Sequence, residues 1–173
     1  MAVIETTREL LSDAAESIRR LPPELPSGPE AQQPSTPREP LRVLGYASNG
    51  VADELALAML AHLLDDLPVV VEITKTRMLA AELVSMVQER GVSVVCLADL
   101  PPSPSSKTRY FVKRLRDAFP ELRILVGRWA PPSLADESTQ ALRDAGANHV
   151  ASTLAQTREY VGGLQEIASR SSG

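Results

Sequence analysis

The chain has 173 residues, which is enough for one ordinary domain with an appendage and too few for two domains of typical size. Its composition, 43% hydrophobic and 23% charged, is typical of a soluble globular protein, and a formal net charge of −4 gives no overall electrostatic reason to bind nucleic acid. The single cysteine, Cys96, excludes an internal disulfide and fits a reducing compartment, and no stretch approaches the roughly 20 apolar residues of a membrane-spanning helix.

The first 40 residues form an appendage of two parts. Residues 1–21 are predicted to be an amphipathic helix, because apolar residues recur at spacings of three, four and seven. Residues 22–40 lack that periodicity and contain half of the chain's 14 prolines, which predicts a linker with polyproline character. The apolar residues of the helix are Ile4, Leu10, Leu11, Ala14, Ile18 and Leu21.

From Leu41 onward, short β-branched runs alternate five times with stretches of helical period. The strands are predicted at residues 42–47, 69–73, 92–97, 123–127 and 149–150. The helices are predicted from about residue 53 to 66, 76 to 90, through a basic stretch up to 116, 134 to 145, and 153 to 169. This alternation predicts an α/β fold with a five-stranded, doubly wound parallel sheet, flavodoxin-like in its order 2-1-3-4-5, in a domain of residues 41–170.

The third strand is predicted to lie at the centre of the sheet, and its sequence supports that position. Residues 92–97 are mostly apolar and β-branched, as in a strand covered on both faces, so Cys96 is expected to be a core side chain. Pro101 and Pro102 end the strand, because proline cannot donate to a ladder of hydrogen bonds. The hydroxyls of Ser103, Ser105 and Ser106 are predicted to cap the helix that follows.

Ligands of doubly wound sheets bind outside the carboxyl ends of the strands. Small polar residues and two large side chains follow the strands there, and they are our candidates for binding a small ligand: Ser48, Asn49, Gly50, Asp99, Arg128, Trp129, Ser152 and Thr153. No set of residues in the chain forms a recognisable catalytic site, and no metal site is predicted.

Two uses of this architecture can be checked against the candidates. A phosphoacceptor domain of the response-regulator type resembles the predicted fold, and Asp99 stands at its phosphoacceptor position. Such a domain also needs an acidic pair after strand one and a lysine after strand five. This chain has Ser48 and Asn49 at the first place and Thr153 at the second, so a hard cation would have too few oxygen ligands. A flavin site would use the Ser48–Gly50 turn as an anion donor at a helix N-terminus, but Trp129 is the only large aromatic residue nearby and the Rossmann glycine fingerprint is absent.

The predicted order of elements is also that of cobalamin-binding domains, and several positions are similar. Strand three ends in Leu97-Ala98-Asp99-Leu100, strand four ends at Gly127, and Gly146-Ala147 resembles the last turn of that family. The family's axial histidine has no counterpart, since no histidine lies between Ala47 and Leu60 and His62 falls inside the first helix. The resemblance therefore implies no ligation of cobalt by imidazole, and base-on cobalamin binding stays open.

Residues 42 to about 150 most resemble the cytosolic C-terminal domain of bacterial permeases of the autoinducer-exporter type. The resemblance is carried by ASNGVADELALAMLAHLL, by VVCLADLPP followed by KTRYFVKRLRDAFPELRILVG, and by ETTRELLSDAAE ahead of the linker. It implies a cobalamin-type fold without the cofactor histidine, a membrane domain upstream, and an accessory or regulatory role on the cytosolic face of an inner membrane.

Basic residues are concentrated in and after the third helix. On a helix, Arg109, Lys113 and Arg116 share one face, and together with Lys107 they form a candidate patch for an anion or an acidic partner.

We expect a non-catalytic sensory or regulatory domain without a cofactor, located in the cytoplasm or at the cytosolic face of a membrane protein. Its expected partner is a small ligand or a membrane transporter domain, and not nucleic acid. The alternative is a cobalamin- or flavin-binding domain of an enzyme or of a light or cofactor sensor. A homodimer is a further expectation, because a dimerisation module would have the same sequence features.

Overall fold

The structure is a computed structural model of the chain and describes residues 39–74, 77–134 and 137–171. The predicted helix over residues 1–21 and all but the last two residues of the predicted linker lie outside the described residues. Residues 39 and 40 are exposed and precede the first strand directly.

Five parallel strands form one sheet in the order β2-β1-β3-β4-β5, which confirms the predicted flavodoxin-like topology. The strands are β1 (Leu41–Ala47), β2 (Val69–Ile73), β3 (Val94–Ala98), β4 (Arg123–Gly127) and β5 (His149–Ala151). The α-helices of the described residues are α1 (Val51–Leu63), α2 (Ala80–Arg90), α3 (Ser106–Ala118), α4 (Ser138–Asp144) and α5 (Leu154–Ser171).

The helix ends differ from the predicted ones for local reasons. α2 begins at Ala80, four residues later than predicted, where the Glu82 carboxylate accepts the Leu79 N–H at 2.7 Å. α4 begins at Ser138, because Pro132–Leu134 forms a separate 3₁₀ turn. Ser105 occupies the N-cap position of α3, but its hydroxyl makes no capping hydrogen bond, so the prediction of a hydroxyl cap was wrong for that residue.

The sheet is covered on both faces, and each face has its own hydrophobic cluster. Alternate residues of β1 point to opposite sides: Leu44 and Tyr46 pack with α2, α3 and α4, whereas Val43 and Ala47 pack with α1 and α5. All five residues of β3 are buried, as expected for the central strand. The Tyr46 ring stacks on Phe111 with centroids 4.9 Å apart, which joins β1 to α3.

Cys96 is a core residue of the cluster under α1 and α5, with no exposed surface. Burial raises the pKa of its thiol to about 12, so the reactive thiolate is scarce at neutral pH. We expect Cys96 in the native chain to resist a disulfide reagent at mildly alkaline pH and to react once the chain is unfolded in guanidinium. The absorbance of the released thiol product measures this, and rapid labelling of the native chain would contradict the burial.

Candidate functional site at the carboxyl edge of the sheet

The loops that follow β1, β3, β4 and β5 meet at the carboxyl edge of the sheet, as the parallel topology requires. Backbone hydrogen bonds continue the ladder beyond the strand ends. The Ser48 N–H donates to the Ala98 carbonyl at 2.9 Å, and the Asp99 N–H donates to the Gly127 carbonyl at 3.0 Å. The loops are therefore held to one another by backbone bonds, and their side chains converge at this edge.

Asp99 is completely buried, and its side-chain partners include Asn49 and Arg128. The Asn49 amide donates to Asp99 Oδ1 at 2.7 Å, and Arg128 Nη1 lies 3.1 Å from Asp99 Oδ2. Burial raises the pKa of the Asp99 carboxyl, and the Arg128 guanidinium opposes that rise without cancelling it. The sequence correctly placed these three residues at one edge, and the structure brings them into direct contact.

Arg128 is itself 5% exposed, so its charge is also inside the protein. Besides facing the carboxylate, its Nη1 donates to the backbone carbonyls of Asp99 at 3.2 Å and of Ser103 at 3.1 Å. Arg128 lies in the loop after β4 and thus joins that loop to the loop after β3. A buried guanidinium with these contacts is an internal counter-ion of Asp99.

Asp53, at the start of the first helix predicted from the sequence and not among the candidate residues, belongs to the same edge. It is 2% exposed, and its carboxylate accepts the Asn49 N–H at 2.8 Å and the Leu100 N–H at 3.0 Å. It therefore joins the loop after β1 to the loop after β3. The signal that could have identified it is an acidic residue three positions after a Gly turn at a strand end. We call Asn49, Asp53, Asp99 and Arg128 the polar network.

Two other candidates of the β1–α1 turn have structural partners. The Gly50 carbonyl accepts the Asp53 and Glu54 N–H groups at 3.1 and 3.2 Å, which closes the first turn of α1. The Ser48 carbonyl accepts the Lys107 ammonium, whose nitrogen also lies 5.7 Å from the centre of the Tyr46 ring. Lys107 therefore contacts the carboxyl edge, although the sequence assigned it to the basic patch of α3.

Trp129 was expected at the rim as a ligand-covering aromatic, but its ring is in the core. It is 8% exposed, it belongs to the cluster under α1 and α5, and its indole N–H donates to the Thr157 hydroxyl at 2.8 Å. Gly127 makes room for it, because a Cβ at that glycine would lie 2.3 Å from the indole ring. The absence of a side chain at Gly127 explains why an aromatic residue just past β4 turns inward.

Ser152 and Thr153 are exposed and directly precede α5. The Ser152 N–H donates to Gln156 Oε1 at 2.9 Å, and the Gln156 N–H donates to Thr153 Oγ1 at 3.1 Å. The Thr153 hydroxyl thus caps the helix as in a capping box, whereas the Gln156 side chain accepts the N–H of the residue before the N-cap. Both residues lie where the sequence placed them, and their contacts serve the helix.

The basic patch of α3 is smaller than predicted. Arg109 and Lys113 are exposed, but Arg116 is folded against the protein. Its guanidinium donates to the carbonyls of Gly146 at 2.8 Å and Leu122 at 2.9 Å, and to Asn148 Oδ1 at 2.6 Å. Arg116 therefore ties α3 to the loops before β4 and β5, and it is not available to an external anion.

Two surface cavities have no residue of the polar network in their lining. One of about 680 Å³ is at the opposite edge, lined by the first residues of three strands, Leu41, Val94 and Arg123. Another of about 420 Å³ lies beside β5 and is lined by Arg143, His149 and Tyr160 among others. In the described part of the chain, no group of three His, Cys, Asp or Glu side chains is placed to hold a metal ion, and no helix is long and apolar enough to cross a membrane.

His149 gives the domain a predictable response to acid. Its ring stacks on Tyr160 with centroids 4.5 Å apart, and burial, with a smaller contribution from Arg143, lowers its pKa below 6.5. The neutral ring therefore contributes its full stability above pH 6.5, the ordinary histidine pKa that applies to the unfolded chain. This contribution is lost as the pH falls through the lower pKa of the folded state. We expect the free energy of unfolding in urea to fall between about pH 7.5 and pH 5, and His149→Gln to reduce that fall. An equal fall in both proteins would contradict this assignment.

No protein-family model matches the chain, and no curated protein matches it either. Solved structures do match. A cobalamin-binding protein from Desulfitobacterium hafniense superposes with a TM-score of 0.54 at 15% identity, covering 72% of this chain and 58% of that one. The monomethylamine corrinoid protein of Methanosarcina barkeri gives 0.55 at 11% identity, covering 71% and 57%. The signal receiver domain of a Luxo repressor protein from Vibrio parahaemolyticus gives 0.53 at 12% identity, covering 77% and 95%.

These neighbours share the parallel sheet and its flanking helices. This chain has a flavodoxin-like fold. Identities below 20% show the fold alone, and the chain spans less than three fifths of the length of the two cobalamin and corrinoid proteins.

Proposed function

We propose that this flavodoxin-like domain is a non-catalytic regulatory domain that acts by binding, as an accessory part of a membrane transporter at the cytosolic face of the membrane. The observation that carries the proposal is the state of Asp99. This carboxylate stands at the position where a receiver domain needs a reactive aspartate, yet it is completely buried against Arg128 and Asn49. A binding fold whose most reactive position is used internally is better suited to recognition than to chemistry.

Phosphoryl transfer to Asp99 is disfavoured by two features of the polar network. A phosphodonor needs a divalent cation held by several oxygen ligands beside the acceptor. Here the positive charge beside Asp99 is the Arg128 guanidinium, fixed by two carbonyls. The second carboxylate of the edge, Asp53, accepts two backbone N–H groups and is itself buried.

Cobalamin ligation by histidine is also disfavoured at this edge. The chain contains two histidines, and both are described. His62 is near the end of α1 and contacts Asp65, and His149 begins β5 and stacks on Tyr160. His149 is level with Leu125 in the middle of β4, and His62 is on the exposed surface of α1, so neither imidazole belongs to the polar network.

Equilibrium dialysis tests the choice between a regulatory domain and a cofactor-binding domain. The full chain is dialysed against hydroxocobalamin and, separately, against flavin mononucleotide, and the visible spectrum of the protein is then recorded. We expect no chromophore to be retained. A stoichiometric spectrum that survives gel filtration would favour the alternative, a cofactor-binding domain of an enzyme or sensor.

The association with a transporter is supported by the sequence resemblance to autoinducer-exporter permeases. The genomic reading frame upstream of the Met1 codon tests it directly. We expect that frame to continue and to encode apolar spans of about 20 residues. A frame that stops immediately upstream, with no permease gene beside it, would count against the association while leaving the regulatory role to be judged by the dialysis.

A further inference from the structure

Exposed apolar side chains are concentrated on one side of the domain. Of the ten large hydrophobic residues that are exposed in the described part of the chain, seven fall between residues 51 and 79. They belong to α1, to β2 and to the turn before α2. Large exposed apolar patches on a soluble domain mark interaction surfaces.

The outer face of α1 is the main part of this patch. Val51, Leu55 and Met59 follow one another at intervals of four residues, with exposures of 79%, 63% and 53%, and Leu63 continues the row. The other exposed residues of α1 are Ala52, Ala58 and His62, so no exposed position of this helix carries Asp, Glu, Lys or Arg. The outer faces of the other described helices all carry charged side chains. A helix that is apolar on its inner and its outer face is normally covered on both.

β2 adds an open strand edge beside α1. It is the outermost strand on its side of the sheet, and Val70 and Ile73 are 51% and 38% exposed on opposite faces. Its one charged residue, Glu72, is neutralised by an ion pair with Arg90 of α2. The strand at the other edge, β5, has only three residues, which limits pairing with another chain. β2 has five residues and no such protection.

We propose that the β2-edge surface, made of Val51, Leu55, Met59, Leu63, Val70 and Ile73, binds the same surface of a second copy of this chain. In this dimer β2 pairs antiparallel with the partner's β2 about a two-fold axis, and the sheet continues across it. The proposal does not depend on the proposed regulatory function.

A second copy fits because the surface is complementary to itself. In an isologous contact each patch meets the same patch of the partner, so a charged helix face would meet like charge. No exposed position of α1 carries Asp, Glu, Lys or Arg, so its outer face avoids that repulsion. With the axis at Val71, Val69 lies opposite the partner's Ile73, and Val70 lies opposite the partner's Glu72. The two Glu72 carboxylates therefore do not face each other. Six side chains and one strand edge are fewer than a standard interface offers, so we expect a dissociation constant on the order of 10 µM.

Sedimentation equilibrium of the full chain on both sides of that concentration tests the proposal. We expect a reversible monomer–dimer equilibrium, weakened at least tenfold by Leu55→Glu and by Val70→Glu. The first places a charge on the apolar face of α1, and the second places a carboxylate opposite the partner's Glu72. Ile167→Glu is the matched control, since Ile167 is as exposed as Leu55, at 61% against 63%, but lies on α5. Its dissociation constant should equal that of the unmodified chain.

Circular dichroism melting confirms that each variant is folded before its association is interpreted. A monomer throughout the range overturns the proposal. So does a dimer that both Leu55→Glu and Val70→Glu leave unchanged, or a dimer that Ile167→Glu weakens equally.

Discussion

Asp99→Asn should lower the free energy of unfolding by about 3–5 kcal/mol, a large loss for a substitution that changes one atom of the side chain. The asparagine fills the same space but carries no charge, and the Arg128 guanidinium, 5% exposed, is then buried without its counter-ion. Urea unfolding followed by circular dichroism at neutral pH measures the loss. Both partners are almost completely buried, so solvent screening reduces this effect little.

The control for this prediction is removal of both charges together. Asp99→Asn combined with Arg128→Met leaves no buried charge unpaired, so we expect the double variant to be more stable than the sum of the single losses predicts. Additive losses, or an Asp99→Asn protein as stable as the unmodified chain, would show that the pair is not coupled in the way its 3.1 Å contact indicates.

Trp129→Ala should cost about 3–5 kcal/mol, because the substitution removes a buried indole from the cluster under α1 and α5. Trp129→Phe should cost less, about 1–3 kcal/mol, since it keeps an aromatic ring but leaves the Thr157 hydroxyl without its donor. Equilibrium unfolding in urea measures both. If Trp129→Ala left the stability unchanged, the indole would lie at the surface, where a ligand-binding residue is expected, and not in the core.

Tyr110→Ala provides the matched control, because Tyr110 is an aromatic residue that is 56% exposed on α3. We expect its effect to be within about 0.5 kcal/mol. Gly127→Ala offers an independent check on the position of the indole. A methyl group at residue 127 would overlap the ring, so this substitution should destabilise the domain, although both residues are small and apolar.

The fold could be predicted from the sequence because its signals are local and repeated. Five short, mostly apolar runs, each followed by a helical stretch, indicate a parallel sheet, and right-handed crossovers then leave few strand orders. β3 was recognised as central because its residues are apolar at consecutive positions, and all five are buried. The ends of helices were less predictable. α2 begins four residues late because one carboxylate, Glu82, caps it at Leu79.

The candidate site was predicted only as a set of neighbours. Parallel topology places Asn49, Asp99 and Arg128 at one edge, but nothing local to any of them shows that they bind each other. Asp53 was overlooked as a member because its position in a first helical turn already had an explanation in the helix dipole. Trp129 and Arg116 were assigned to the surface by residue type. The space left by Gly127 and the carbonyls that surround Arg116 are tertiary features, which a pattern along the chain does not contain.

These contacts are what the proposed regulatory role without chemistry rests on. The loops at the carboxyl edge, which carry function in doubly wound sheets, are joined here by the polar network. Asp53 ties the loop after β1 to the loop after β3, and Arg128 ties the loop after β3 to the loop after β4. The polar atoms that would otherwise bind a ligand stabilise the edge itself.

The most direct test of a non-catalytic carboxyl edge is the mass of the intact chain after incubation with acetyl phosphate and Mg²⁺. A reactive aspartate at the end of β3 would form an acyl phosphate and release acetate. The reaction is stopped by denaturation in acid. Because Asp99 is buried against Arg128, we expect the mass of the unmodified chain. A receiver domain treated in parallel should show the added phosphoryl group. A phosphoryl group on this chain that Asp99→Asn abolishes would contradict the account.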